Sequence, residues 1–249
     1  MPSSTVVGLS STCFGSTAYH LAVLAARAHH ANAVEVACST GGPLRDLEQV
    51  IPRLDLAGLD RLSLRAGHFE AGAELETETI LARLAVPVVV RADCVRDRYA
   101  WRSCENRLLI ANPTHAGRPH ALGELLDELF DALPEAGFCL DASAAFAAGG
   151  HPLLTALARR YADRLAQINV GSEYASSPSA DSTPGDVDLV HAVLSAADLS
   201  APIVVERSAD TAWSRKLSQD VVALREIARN PRSRVDGAEP GLPSNSTRN

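Results

Sequence analysis

The chain has 249 residues, nearly half of them apolar (46%) and few aromatic (4%), which is enough for one large core. Asp and Glu (30) outnumber Lys and Arg (23), for a formal net charge of −7, and the arginines are scattered. That balance argues against a nucleic-acid or anionic-membrane surface as partner.

The N-terminal "MPSSTVVGLSSTCF" has neither a basic n-region nor a long apolar h-region, and no apolar run is long enough to span a bilayer. A cytoplasmic protein is therefore expected. Short β-branched runs then recur with unusual regularity, at 5–11, 33–38, 61–66, 86–92, 107–112, 137–141, 165–170 and 201–206. Between them the apolar residues of 16–30, 121–133, 152–164 and 186–198 fall three and four apart, which predicts helices. The segment "CVRDRYAWRSCEN" after the fourth run is weaker and predicts a short helix at most. Residues 230–249 are rich in Pro, Ser, Gly and Asn without apolar period, and are expected to be a disordered tail. Eight strands alternating with helices over 1–229 predict an α/β fold, a single (β/α)8 TIM barrel. No G-x-G-x-x-G or Walker loop follows the first strand, so an open nucleotide-binding sheet is the weaker alternative.

The five cysteines (Cys13, Cys38, Cys94, Cys104, Cys139) are odd in number and form no C-x-x-C. They sit in or beside predicted strands, as buried apolar residues of a reduced protein do. Cys13 and Cys94 are the two considered as reactive thiols.

Active-site groups of such a barrel stand at the C-terminal strand ends. Here those are Ser10, Ser11, Thr12 and Cys13 on strand 1, Glu35 on strand 2, Arg65 and His68 on strand 3, and Arg91 and Asp93 on strand 4. Asn112, Thr114 and His115 follow strand 5, and Asp141 ends strand 6. Strand 7 presents Gln167, Asn169, Ser172 and Glu173, and strand 8 ends at Glu206 and Arg207. Arg65 and Arg91 can clamp a carboxylate or phosphate, or equally neutralise Glu35, Asp141 and Glu206 as a structural network. His68 and His115 are loop histidines with the pKa of a proton shuttle. Asp141 and Glu206 end alternate strands, so their carboxylates can converge as general acid and base, or as hard oxygen ligands.

Five stretches carry a resemblance: "AVEVACS" (33–39), "LLIAN" (108–112), "CLDASAAFAAG" (139–149), "LAQINVGSE" (165–173) and "PIVVER" (202–207). Their order and spacing resemble the xylose isomerase-like barrels, the sugar phosphate isomerases and epimerases that also include the metal-dependent AP endonucleases. The resemblance implies a divalent cation held by a Glu on strand 5, an Asp on strand 6, a His on strand 7 and a Glu on strand 8, with the glutamates moving protons. This chain keeps Asp141 and Glu206 but has Ala111 and Gln167 in the other two places, and Ala144 for a His after the sixth strand. Arg65 and Arg91 stand where strand-end histidines are common.

The resulting expectation is an isomerase, epimerase or lyase working by acid/base chemistry without metal on a small anionic, sugar-like metabolite. Glu206, Asp141 and His115 are the expected catalytic groups, and Arg65, Arg91, Glu35, Gln167, Asn169 and His68 the expected substrate contacts. No cofactor is expected. The alternatives are a divalent cation at Asp141 and Glu206 in a metal-dependent isomerase, or a non-catalytic barrel that binds a small molecule. A homodimer remains open, as does a lid made by residues 174–184.

Overall fold

The computed structural model describes residues 5–14, 19–37, 44–66, 79, 83–113, 119–171, 185–197, 201–206 and 215–230. The strands are β1 (Val7–Ser10), β2 (Ala33–Ala37), β3 (Arg61–Arg65), β4 (Val88–Arg91), β5 (Leu108–Ala111), β6 (Gly137–Asp141), β7 (Leu165–Val170) and β8 (Ile203–Val205). They pair in parallel in sequence order, and β8 returns to β1 to close the barrel. All eight strands fall inside the predicted runs, and β6 and β7 match them end to end.

The helices are α1 (Tyr19–Ala28), α2 (Leu44–Val50), α3 (Pro119–Ala132), α4 (Ala142–Arg160), α5 (Asp186–Ala197) and α6 (Arg215–Arg229). α2 and α6 were not predicted. α6 buries Leu217, Val221, Leu224 and Ile227, spaced four and three apart, beneath a strongly charged outer face. α4 begins ten residues before its predicted start. Asp141 accepts a hydrogen bond from the Ala144 N–H as its N-cap, and Ala-rich sequence carries the helix on. It breaks at Gly149 and Gly150, the latter at φ 65°, and Pro152 then restarts it. The β4–β5 connection holds two 3₁₀ turns, Ala92–Cys94 and Arg102–Arg107, and no α-helix among its residues, around a fully buried Trp101.

Each strand alternates between two interiors. Val7, Leu9, Val34, Val36, Leu64, Val88, Val90, Leu108, Ile110, Phe138, Leu140, Ile168 and Val170 face outward into the core shared with the helices. There Phe138 packs on Phe130 and Tyr161, with centroids 6.1 and 5.1 Å away. Val89, Leu109, Ala111 and Cys139 form a separate small cluster inside the barrel. Gly8 sits where a Cβ would lie 2.7 Å from the Ala33 Cβ, so β1 and β2 can approach only because residue 8 has no side chain. The β6–β7 register shifts after Phe138, pairing Cys139 with Gln167 and Asp141 with Asn169. This irregularity turns both Gln167 and Asn169 to the inner face.

No described helix is long and apolar enough to cross a membrane. Cys94, Cys104 and Cys139 are buried thiols outside any disulfide. The expected tail beyond Asn230 and the 174–184 stretch lie outside the described residues, as do Cys38 and the side chain of Cys13.

Candidate active site

The polar inner residues of five strands meet at the C-terminal end of the barrel. On β3 the sequence "RLSLR" alternates, so Arg61, Ser63 and Arg65 all point inward, and Ser63 pairs with Glu35 on β2. Arg65 donates from Nε to Glu35 Oε1 at 3.0 Å. Its Nη2 meets Glu206 Oε1 as an ion pair lying off the line of a hydrogen bond. One guanidinium thus lies between two carboxylates, Glu35 fully buried and Glu206 slightly open to solvent at the mouth.

Amides from β7 complete the cluster. Gln167 Nε2 donates to Glu35 Oε2 and to Asn169 Oδ1, both at 2.8 Å. Asn169 Nδ2 donates to Glu206 Oε1 at 2.9 Å and lies 3.2 Å from each Glu35 oxygen. Cys139 Sγ donates to Asn169 Oδ1 at 3.2 Å. The contacts fix the amide orientations, because Glu35 Oε2 takes an N–H from Gln167. That NH2 then needs the Asn169 oxygen beside it, which leaves the Asn169 NH2 facing the carboxylates.

Protonation follows from the same contacts. Burial pushes the Glu206 carboxyl up to about 7, against the pull of Arg65 and with the help of Glu35 and Asp141, while the Asn169 hydrogen bond lowers it. Burial alone would lower the Arg65 pKa, but Glu206 and Glu35 together outweigh it, so the guanidinium is held firmly charged. Burial raises the Cys139 thiol well above its usual range, so it stays a neutral donor. Burial and the neighbouring Asp93 push Cys94 up to about 11, against the nearby arginines, which is contrary to a reactive thiolate.

Asp141 is held differently. Its Oδ1 caps α4, accepting from Ala144 N at 2.9 Å. Asn112 clasps its main chain, with Oδ1 accepting from Asp141 N at 2.8 Å and Nδ2 donating to Asp141 O at 3.1 Å. Arg91 is bound through both Nε and Nη2 by Asp93. Arg65 is matched by two carboxylates, Glu35 and Glu206. His68, Thr114, His115, Ser172, Glu173 and Arg207 lie outside the described residues.

Two participants were not singled out from sequence. Cys139 looked like an ordinary core thiol. Arg61, whose buried Nε has no hydrogen-bond partner, was visible only in the strict alternation of β3. Arg61 acts electrostatically on Cys139 and Glu35.

The donor set does not suit the divalent cation that the resemblance implies. Ala111 supplies no ligand on β5, and one Asp141 oxygen is committed to the helix cap. The groups that meet Glu206 Oε1 are a guanidinium and an NH2, which present protons where a cation needs lone pairs. No group of three or more His, Cys, Asp or Glu among the described residues could hold a metal ion.

The sequence matches no protein-family model and no curated protein. Solved structures share the fold. They include D-psicose 3-epimerase with D-tagatose from Clostridium cellulolyticum H10 (TM-score 0.59, 9% identity, covering 90% of this chain and 98% of that one). A 3-keto-D-glucoside 4-epimerase from E. coli in apo form gives TM-score 0.58 and 12% identity over 90% and 99% of the two chains. The IolI protein with a bound zinc atom gives 0.57 and 14% over 91% and 97%. The chain therefore shares the barrel fold of these solved structures, at identities that speak to fold alone.

Proposed function

We propose that this chain is an isomerase- or epimerase-type enzyme that moves a proton beside the carbonyl of a small, hydroxylated, sugar-like compound without a metal. A lyase reaction that starts from the same proton abstraction is the near variant. One observation carries the reading. Glu206 is the only carboxylate of the Glu35–Arg65–Glu206 group that reaches solvent, and its pKa of about 7 suits a general base or acid at neutral pH. Arg65, also partly open at the mouth, places a permanent positive charge beside it. In the proposed step the C–H proton passes to a Glu206 oxygen and the electron pair moves onto the carbonyl oxygen. Arg65 stabilises the resulting oxyanion. Return of the proton to the other face completes epimerisation; delivery to the former carbonyl carbon, with the adjacent hydroxyl proton passing to the oxyanion so that a new carbonyl forms, completes isomerisation. Asp141 and His115 are the candidate second proton carriers.

The sugar-like substrate class is supported by the fold shared with sugar epimerases. The expected anionic character draws no support from Arg65 and Arg91, because each already has a carboxylate partner. The substrate is accordingly read as a hydroxylated carbonyl compound whose ionic group, if present, lies away from these two residues.

The test is proton exchange. Chelator-treated protein is incubated in D2O with a panel of ketoses, aldoses and sugar acids, and deuterium entry beside the carbonyl is followed by NMR. Exchange that survives the chelator and is lost in Glu206→Gln is the expected result. Exchange that appears only when a divalent ion is restored overturns the metal-free reading. Binding without exchange for every compound makes the barrel a binder.

A further inference from the structure

The contacts of the cluster fall on particular atoms and leave others unspent. Asn169 is fully buried, so it offers no surface to a substrate. Its Oδ1 accepts from Gln167 Nε2 at 2.8 Å and from Cys139 Sγ at 3.2 Å, which turns its NH2 to the carboxylates. From there Nδ2 donates to Glu206 Oε1 at 2.9 Å, and the Arg65 Nη2 ion pair falls on the same oxygen. Glu206 Oε2 has no partner among the described residues and is not sealed from solvent. Arg65 divides in the same way. Its Nε is spent on Glu35 and its Nη2 on Glu206, while Nη1 has no partner among the described residues and is likewise not sealed. The mouth therefore presents one free acceptor and one free donor, on two side chains that are themselves paired.

We infer that Asn169 is a positioning residue that pins Glu206 through Oε1, so that Oε2 takes the substrate proton and Arg65 Nη1 meets the carbonyl oxygen. The inference rests on the proton-transfer reading above and names the atoms of its first step. A carboxylate turns about its last carbon–carbon bond, and two donors on one oxygen, from β3 and β7, stop that turn. Without Asn169 only Arg65 holds Oε1, from off the line of a hydrogen bond, and the open oxygen is free to swing away from the substrate. Misplacing a reacting group by about 1 Å can cost roughly 10²-fold in rate. Asn169 itself neither gains nor loses a proton. Gln167 and Cys139 act one step further back, by fixing which end of the Asn169 amide faces Glu206.

Wild type, Asn169→Leu and Gln167→Met are compared in the D2O assay, with circular dichroism as the check on folding. The probe is the ketose, aldose or sugar acid of the panel that wild type exchanges fastest, taken over a range of concentrations. Leucine fills the space of Asn169 without an N–H. The expected result for Asn169→Leu is a kcat for deuterium entry lower by about 10²-fold, with KM within about twofold of wild type. Gln167→Met removes the donor that orients the amide, and its kcat should fall between the two, again at unchanged KM. A raised KM with kcat kept assigns Asn169 to substrate binding and overturns the inference. A folded Asn169→Leu with wild-type kcat does the same. So does failure of both variants to fold, which assigns these amides to holding the barrel together. Wild type that exchanges with no compound overturns the proton-transfer reading and the inference with it, whereas the three preceding outcomes leave that reading standing.

Discussion

Glu206→Gln should make the protein more stable above neutral pH while removing the proposed proton carrier. Burial, opposed by Arg65 and reinforced by Glu35 and Asp141, lifts the folded carboxyl from 4.5 to about 7. Between those values the folded chain holds a proton that the unfolded chain releases. The contribution of Glu206 is therefore fully present below pH 4.5 and is lost as pH rises through about 7. The slope is roughly 1.4 kcal/mol per pH unit, or roughly 3 kcal/mol over the whole window. A glutamine keeps the shape and an acceptor for Asn169, and it has no charge to bury. Urea denaturation of both proteins from about pH 4.5 to about pH 8 should show the variant gaining over wild type by up to roughly 3 kcal/mol, with little difference at the acid end. A stability difference that does not change with pH, or a variant weaker than wild type at the alkaline end, would refute this account of Glu206.

Other expectations follow from single contacts. Asp141→Ala removes the α4 cap and should cost about 0.5–2 kcal/mol in chemical denaturation, whereas Asp141→Asn keeps the acceptor and should be near neutral. If Asp141 is the second proton carrier, the Asn variant loses epimer formation at unchanged stability while Glu206 still washes deuterium in beside the carbonyl; normal epimer formation would assign that role elsewhere. Gly8→Val drives a side chain into Ala33 and should lower stability by about 1–3 kcal/mol or more, read as a drop in melting temperature. Phe138→Ala empties a ring contact with Phe130 and Tyr161 in a fully buried position and should cost about 3–5 kcal/mol. A loss below about 1 kcal/mol would mean that the neighbouring rings collapse into the space.

The barrel was readable because its strands are buried on both faces and so appear as apolar runs of regular spacing. α4 was read too short because "ASAAFAAGG" is nearly all small residues and carries no apolar period, although Asp141 followed by alanines is itself a helix-start signal. α6 was passed over because its charges mask an apolar stripe that is regular once counted. Single site residues were readable as types at strand ends, but their pairings were not. Whether Arg65 meets a ligand or Glu35 depends on the β2–β3 register, and whether Asn169 faces inward depends on a register shift beside Phe138. Both are decided by contacts between strands distant in sequence, which no local pattern records.

The clasp of Asn112 on Asp141 has a mechanical consequence. The β5–β6 ladder ends at Ala111 and Cys139, yet the Asn112 side chain supplies to Asp141 the acceptor and donor that one more strand residue would have offered. The rim is stitched one rung higher than the sheet itself. The stitch has a fixed reach: Asp in its place would lose the donor, and Gln would overshoot by a methylene. Any remodelling of the loop after β5 must therefore begin beyond residue 112, because Asn112 still holds β6.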